Sequence, residues 1–468
     1  MARTTTTTGP AGIARTLRES FAGPVHLPGD AAYDEARSGW NLRIDHRPLT
    51  VAEATGPDDV RAAVVAAREH ALPFAVQATG HGTLVPADGG LLLTTRRMAE
   101  VRVDPYRRVA RVGPGARWSE VIAAAALYGL APLSGTPSVG VTGYTLGGGT
   151  GWLSRRHGYA ADGLLRADLV TAEGEHVTAD ADHHADLFWA LRGGGGNFGA
   201  VTALEVRLHA VGRVYAGVSL YDAGRAAETL ARYRDWADGE PDELNTAVML
   251  MRMPDAPAVP EPVRGRPVLA VRVFHLGGYE EAEPRLRPLL EAAGTPLLDG
   301  FRAMTFAEAG VTIAGPTAPP MAVRQHIDLF RDLPGAVLEA LPDAAFGGSP
   351  GPAVEVRHWG GAMARPAPDA GPVGHRDVPF SVIATAPYGA GGTGHGDADE
   401  RSRVDASVDG LAGRLRPYAT GGTFLNFLTD PARTRTAYTP EDHARLSRIK
   451  RTWDPDDVFR PGHHIPPE

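Results

Sequence analysis

The chain has 468 residues, 43% of them hydrophobic and 22% charged, a formal charge of -8 from 47 basic and 55 acidic side chains, and no cysteine. That length predicts two or three domains with ample core, and the evenly spread charge gives no footprint for nucleic acid or an anionic membrane. The absent cysteines exclude disulfides, thiolate nucleophiles, zinc-thiolate and iron-sulfur sites.

Residues 1–30 read as a disordered or loosely held N-terminal arm that opens on a threonine tract with no apolar signal core. From 31 to 213, β-rich runs at 49–54, 73–77, 90–94, 108–112, 166–172 and 201–209 alternate with helical patterns at 57–71, 119–130 and 182–191. This is an α+β region of the size that holds a cofactor. From 214 to 417, strands are expected at 214–221, 245–253, 267–275, 353–359 and 379–386, with helices at 224–237, 280–293, 333–341 and 397–415. That order predicts one broad sheet with helices on a single face. Residues 418–468 hold an apolar run at 423–428, read as a strand, and a helix at 440–452 stopped by Asp454-Pro455. They are too few for a domain and are expected to return to the first block. No stretch of about 18 apolar residues occurs, so a cytoplasmic protein without a membrane partner is expected; the oligomeric state is left open.

Three glycine loops carry the chemistry. Gly80-His81-Gly82 is the first, Pro137 to Gly149 followed by Gly151 the second, and Arg192-Gly193-Gly194-Gly195-Gly196-Asn197-Phe198-Gly199 the third. Bare backbone amides suit phosphate, and glycine allows the close approach and positive φ such a nest needs. Residues 194–199 satisfy G-x-G-x-x-G, but a helical pattern precedes the loop and a strand follows it, the reverse of a Rossmann unit, so the nicotinamide reading fails on context.

Phe188-Trp189-Ala190-Leu191-Arg192, running into the third loop, resembles the FWALRGGGGNFGIVT segment of the berberine-bridge-enzyme-like branch of the vanillyl-alcohol-oxidase (PCMH-type) flavoproteins. Gln77-Ala78-Thr79-Gly80-His81 stands where that family reads R-x-G-G-H, whose histidine is bonded to the flavin 8α carbon. Gln77 and Thr79 depart from the family's arginine and glycine. The second loop is similar to the family's C-P-x-V-G-x-G-G, with Thr136 at the cysteine position, so attachment here is expected to be single. Thr423-Phe424-Leu425-Asn426-Phe427 resembles the family's strand beside the isoalloxazine, and Arg445-Leu446 to Lys450, Asp454-Pro455 and Val458-Phe459-Arg460 resemble its ending.

The resemblance implies a two-part FAD-binding domain from 31 to 213 completed by 418–468, and a substrate domain from 214 to 417 with an antiparallel sheet covered by helices. It implies FAD linked covalently at His81. Cofactor contacts are expected from Ala78, Thr79, Gly80, His81, Gly82 and Thr83 in the first loop and from Pro137, Gly140, Gly143, Gly147, Gly148 and Gly151 in the second. Gly196, Gly199, Val201 and Asn426 complete the set.

The expected activity is that of an FAD-dependent oxidase acting on a small secondary metabolite, sugar or alcohol, with dioxygen as acceptor. A flavin monooxygenase or oxidative cyclase of bacterial polyketide biosynthesis is the alternative, because the Thr142 hydroxyl is suited to hold dioxygen. A protein that merely retains flavin and binds ligand is the third reading. Removing hydride beside a hydroxyl requires a base for the O–H proton. Tyr144, in the second loop, is the first candidate, against a reading as stacked core; Tyr388 and His375 follow from the sheet expected to face the flavin. Arg365 stands after Gly360-Gly361-Ala362-Met363, where alkaloid-oxidising members carry a glutamate, which favours an anionic or oxygen-rich substrate. His183-His184 with Asp186 is read as solvated, since adjacent histidines on a helix point about 100° apart; no metal is expected.

Overall fold

The computed structural model describes residues 10–314, 319–348, 351–389 and 396–468; the threonine tract, residues 1–9, lies outside them. Three sheets organise these residues. The first has four strands in the order Val25–His26, Thr50–Glu53, Leu91–Thr94, Phe74–Gln77, the last three parallel to one another. Parallel neighbours require a crossover, and helix Pro57–Glu69 supplies one. Proline at its first turn with Asp58 and Asp59 fits the start of a helix, and Val60, Ala63, Val64 and Ala67 form its buried stripe. Leu91, Leu92 and Leu93 are all fully buried, as a strand covered on both faces demands. The arm expected over 1–30 carries helix Pro10–Ser20, whose Ile13 and Leu17 are buried in this same core.

The second sheet is antiparallel, in the order Val101–Asp104, Val109–Val112, Ala200–Ala210, Leu164–Val170, His176–Asp180, with Leu130–Pro132 also pairing Ala200–Ala210. The third has seven antiparallel strands, in the order Arg302–Met304, Val214–Asp222, Pro267–His275, Leu244–Arg252, Ala353–His358, Phe380–Pro387, Val323–Phe330. Helices Ala226–Ala237, Tyr279–Ala293, Gly335–Phe346 and Ala398–Leu415 cover one face, where Leu230, Leu286, Leu341 and Val408 meet Val248, Val271 and Val356. Successive strand residues face opposite sides, so Ala247, Arg272 and Arg357 point away from the helices. The fold is α+β, as expected.

Several elements lie outside the sequence reading, among them strands Val101–Asp104 and His176–Asp180 and helix Phe306–Ala314, and two differences matter for the site. Strand Val323–Phe330 escaped it because Arg324, Gln325 and His326 interrupt the apolar pattern. Residues 423–428 are not a strand: they form a short 3-10 turn, Leu425–Phe427, with Phe424, Leu425 and Leu428 buried among other elements. Their apolar character serves packing, not a sheet ladder.

Candidate active site

A cavity of about 1600 Å³ opens between the glycine loops and the bare face of the seven-stranded sheet. Ala78, Thr79, Gly80, His81, Gly82 and Thr83 line it from the loop that follows strand Phe74–Gln77. Gly140, Gly143, Gly147 and Gly151 line it from the second loop, Gly196, Gly199 and Val201 from the third, and Asn426 from the C-terminal segment.

The glycines do two different things. Gly80 has φ +74°, and a Cβ there would lie 2.5 Å from the Gly39 Cα, so only glycine lets the two chain segments touch. At Gly82, Gly143 and Gly196 a Cβ would meet nothing within 4 Å. Those three border the cavity, so a cofactor's diphosphate has open space beside bare backbone there. The donor chemistry and the size of the space fit FAD.

His81 stacks on Trp40 with ring centroids 4.4 Å apart and planes 9° from parallel, and its Nδ1 lies 3.1 Å from Thr79 Oγ1. Burial, aided by the charge of Arg117, pulls its pKa down to about 4, so the ring is neutral at pH 7. Gln77, at the family's arginine position, is buried and supports the loop from behind. The Ala87 amide donates to His46 Nδ1 at 2.9 Å, which leaves the proton on Nε2 to donate to Gln77 Oε1 at 3.1 Å.

Tyr144 sits on helix Val141–Leu146 with its ring edge-on to Trp118 at 5.4 Å. Its Oη is buried and has no hydrogen-bond partner among the described residues; burial raises its pKa well above the usual phenol value. Asn426 fastens the second loop: its Oδ1 accepts from the Gly149 amide at 2.8 Å and its Nδ2 donates to the Tyr144 carbonyl at 3.1 Å. Thr142 lines the cavity, but its hydroxyl donates to the Pro114 carbonyl at 3.3 Å.

Four expected site residues lie elsewhere. The Pro137 carbonyl accepts from the Ser119 amide, and its ring faces Gly310. Gly148 packs toward Phe424 and Val373. Tyr388 belongs to the helix-side core, where its hydroxyl donates to Asp405. His375, at φ +54°, donates from Nε2 to the Thr436 carbonyl at 2.8 Å and borders a separate depression with Arg331 and Asp332. Neither Tyr388 nor His375 is within the cavity, because the strand leading to Tyr388 turns it toward the helices and the turn holding His375 faces the C-terminal segment. His183 and His184 precede helix Ala185–Leu191 instead of lying on it. The first pairs with Asp180 at 2.9 Å and the second lies edge-on to Trp453.

The opposite wall of the cavity carries a charged cluster that no continuous sequence motif marks. Arg272 Nη1 donates to Glu355 Oε2 at 2.5 Å, Arg357 Nη2 donates to Glu355 Oε1 at 2.8 Å, and both arginines line the cavity. Burial opposes ionisation of Glu355, yet the two guanidiniums outweigh it and hold the carboxyl below its usual range. A lone arginine within the otherwise apolar run Val268-Leu269-Ala270-Val271-Arg272-Val273 was the available signal.

Residues 48–180 match the family described as FAD binding domain, and residues 423–466 match that described as Berberine and berberine like. The (R)-6-hydroxynicotine oxidase of Paenarthrobacter nicotinovorans is 29% identical, over 96% of this chain and 98% of its own length. The xylooligosaccharide oxidase of Thermothelomyces thermophilus is 27% identical, over 93% and 90%. Among solved structures, 6-hydroxy-D-nicotine oxidase from Arthrobacter nicotinovorans superposes with a TM-score of 0.81 at 27% identity, covering 96% of this chain and 99% of that one. With this fold, an FAD-binding segment and a berberine-like C-terminal segment in place, the chain is similar along nearly its whole length to berberine-bridge-enzyme-like FAD-linked oxidoreductases.

Proposed function

We propose that the protein is an oxidase that holds FAD through a single covalent bond from the His81 imidazole to the flavin 8α carbon and oxidises a small metabolite with dioxygen as acceptor. The observation that carries this is His81 itself: a neutral ring, held flat against Trp40, at the edge of a glycine-walled cavity. When bound, FAD supplies the hydride acceptor.

The chain's own groups then divide the work. The backbone of Gly82, Gly143 and Gly196 offers the diphosphate close approach without side-chain bulk. Thr79 orients the imidazole, whose neutrality leaves a nitrogen lone pair for the bond. Thr136 lines the cavity where a cysteine would give a second link, and hydroxyl chemistry offers none. Tyr144 stays protonated and its hydroxyl is buried, so it does not serve as a phenolate base, and its ring packs beside Gly135 and, in the second loop, Gly149 and Gly151. Two relatives bear the name oxidase, which supports the oxidase reading over the oxygenase one. So does the engagement of the Thr142 hydroxyl by Pro114.

Acid precipitation tests the linkage. Wild-type protein is expected to give a yellow, fluorescent pellet, and His81→Ala a colourless one with any flavin in the supernatant. Stoichiometric hydrogen peroxide during turnover tests the acceptor. Flavin released entirely from acid-treated wild type would overturn the covalent assignment.

A further inference from the structure

We propose that the substrate carries an anionic group, a carboxylate or its equivalent, that docks on Arg272 and Arg357 in the sheet wall of the cavity. This rests on the reading of the cavity as the site of flavin oxidation and names the substrate class for it.

Register brings the two side chains together. Ala247 is paired with Arg272 on one side and with Arg357 on the other, so the arginines flank a methyl group in one row across three strands. Their Cα atoms are therefore about two strand spacings, roughly 10 Å, apart, and the small residue between them leaves room for both guanidiniums to converge. Glu355, two residues before Arg357 on the same strand, accepts from both. The Arg357 guanidinium also lies 5.3 Å from the centre of the Trp152 ring, which fixes its plane.

Charge decides what can sit there. Two cations share one anion, so the cluster bears one uncompensated positive charge at the cavity wall. Two other acids that line the cavity, Asp405 and Asp409, both pair with Arg324. The Nε atoms of Arg272 and Arg357 are buried without a hydrogen-bond partner among the described residues, so the cluster is under-neutralised in hydrogen bonds as well as in charge. The arginine side chains are only 20% and 16% exposed. A neutral substrate that displaced water from them would leave a buried cation uncompensated, whereas a carboxylate would complete two pairs. The planar guanidinium fork matches a carboxylate in shape.

The test uses purified flavoprotein titrated with benzoate and with its neutral isostere benzamide, read by the flavin difference spectrum and by calorimetry. Benzoate is expected to bind saturably and at least about tenfold more tightly than benzamide, as one charge-assisted pair warrants. Arg272→Met or Arg357→Met is expected to remove that preference and leave benzamide affinity unchanged. Glu355→Gln raises the net charge of the cluster and is expected to tighten benzoate binding, so the proposal is tested even if an arginine variant fails to fold. Equal affinity for the two probes, no benzoate binding, or parallel loss of both in the arginine variants would overturn it. A colourless preparation, seen before any probe is added, would instead strike at the cofactor reading.

Discussion

At the scale of single residues, glycines that look alike in sequence separate into two physical kinds. Gly80 is required by its own backbone and by contact with Gly39, so a side chain there is expected to disrupt the loop whatever the ligand. Gly143 has neither constraint: its φ is not positive and the space beside it is open. Gly143→Val is therefore expected to fold, with a melting temperature within a few degrees of flavin-free wild type, and to lose bound flavin, read as the ratio of absorbance at the flavin band to that of protein. Retention of full flavin would show that the diphosphate lies elsewhere. The loops and His81 were legible because each stands in one continuous motif. Arg272, Glu355 and Arg357 were not, because only strand register across Ala247 assembles them. Tyr388 and His375 were misread for the converse reason: nearness in sequence to a sheet strand does not tell which face a side chain takes once the strand has ended.

At the scale of elements, the C-terminal segment acts as a clasp on the third glycine loop. The chain's one lysine, Lys450 on helix Pro440–Trp453, is fully buried, and its Nζ donates to the Asn197 and Phe459 carbonyls at 2.9 and 2.6 Å and to Asp454. Asn197 answers by accepting from the Ile465 amide and donating to the Gly194 and His463 carbonyls. Two stretches far apart in sequence, residues 194–197 and 450–465, thus satisfy one another's buried polar groups. The ending R-L to F-R was legible as a family pattern, but the lysine's part in it was not, since its acceptors come from separate segments. Lys450→Met leaves the Asp454 carboxylate, itself fully buried, without its cation and is expected to destabilise the fold by about 3–5 kcal/mol. Urea denaturation followed by circular dichroism measures this; a loss below about 1 kcal/mol would place the clasp among interactions of surface-pair strength.

At the scale of the whole molecule, buried imidazoles that resist protonation lie where the half of the chain bearing the glycine loops meets the seven-stranded sheet, at His358, and within that half and the C-terminal segment, at His209 and His463. Arg155, buried on helix Ser154–His157, donates from Nε to the Leu244 carbonyl at 2.8 Å and lies 3.4 Å from His358 Nε2 on strand Ala353–His358. Burial, then the charge of Arg155, pulls the pKa of His358 down to about 3. His209, stacked on His157 at 3.9 Å, is pulled to about 3, by burial first and then by neighbouring His157, Arg207 and Arg108. Burial alone pulls His463 to about 4 against the opposing backbone hydrogen bonds. In the unfolded chain each of these rings titrates near 6.5. Above that pH both states hold them neutral and they contribute nothing to pH dependence. As pH falls below about 6.5 the unfolded state takes up protons that the folded state refuses, so stability is lost, by up to about 1.4 kcal/mol per pH unit for each ring, until the folded pKa is reached. The urea midpoint is therefore expected to hold between pH 8 and 7 and to fall steeply between 6.5 and 5, above the range in which carboxylates protonate. His358→Gln, neutral at every pH, is expected to flatten that slope by about one ring's share. A wild-type midpoint constant down to pH 5 would mean that these rings accept protons in place, through movement of Arg155 or entry of water at the junction between the two parts of the chain.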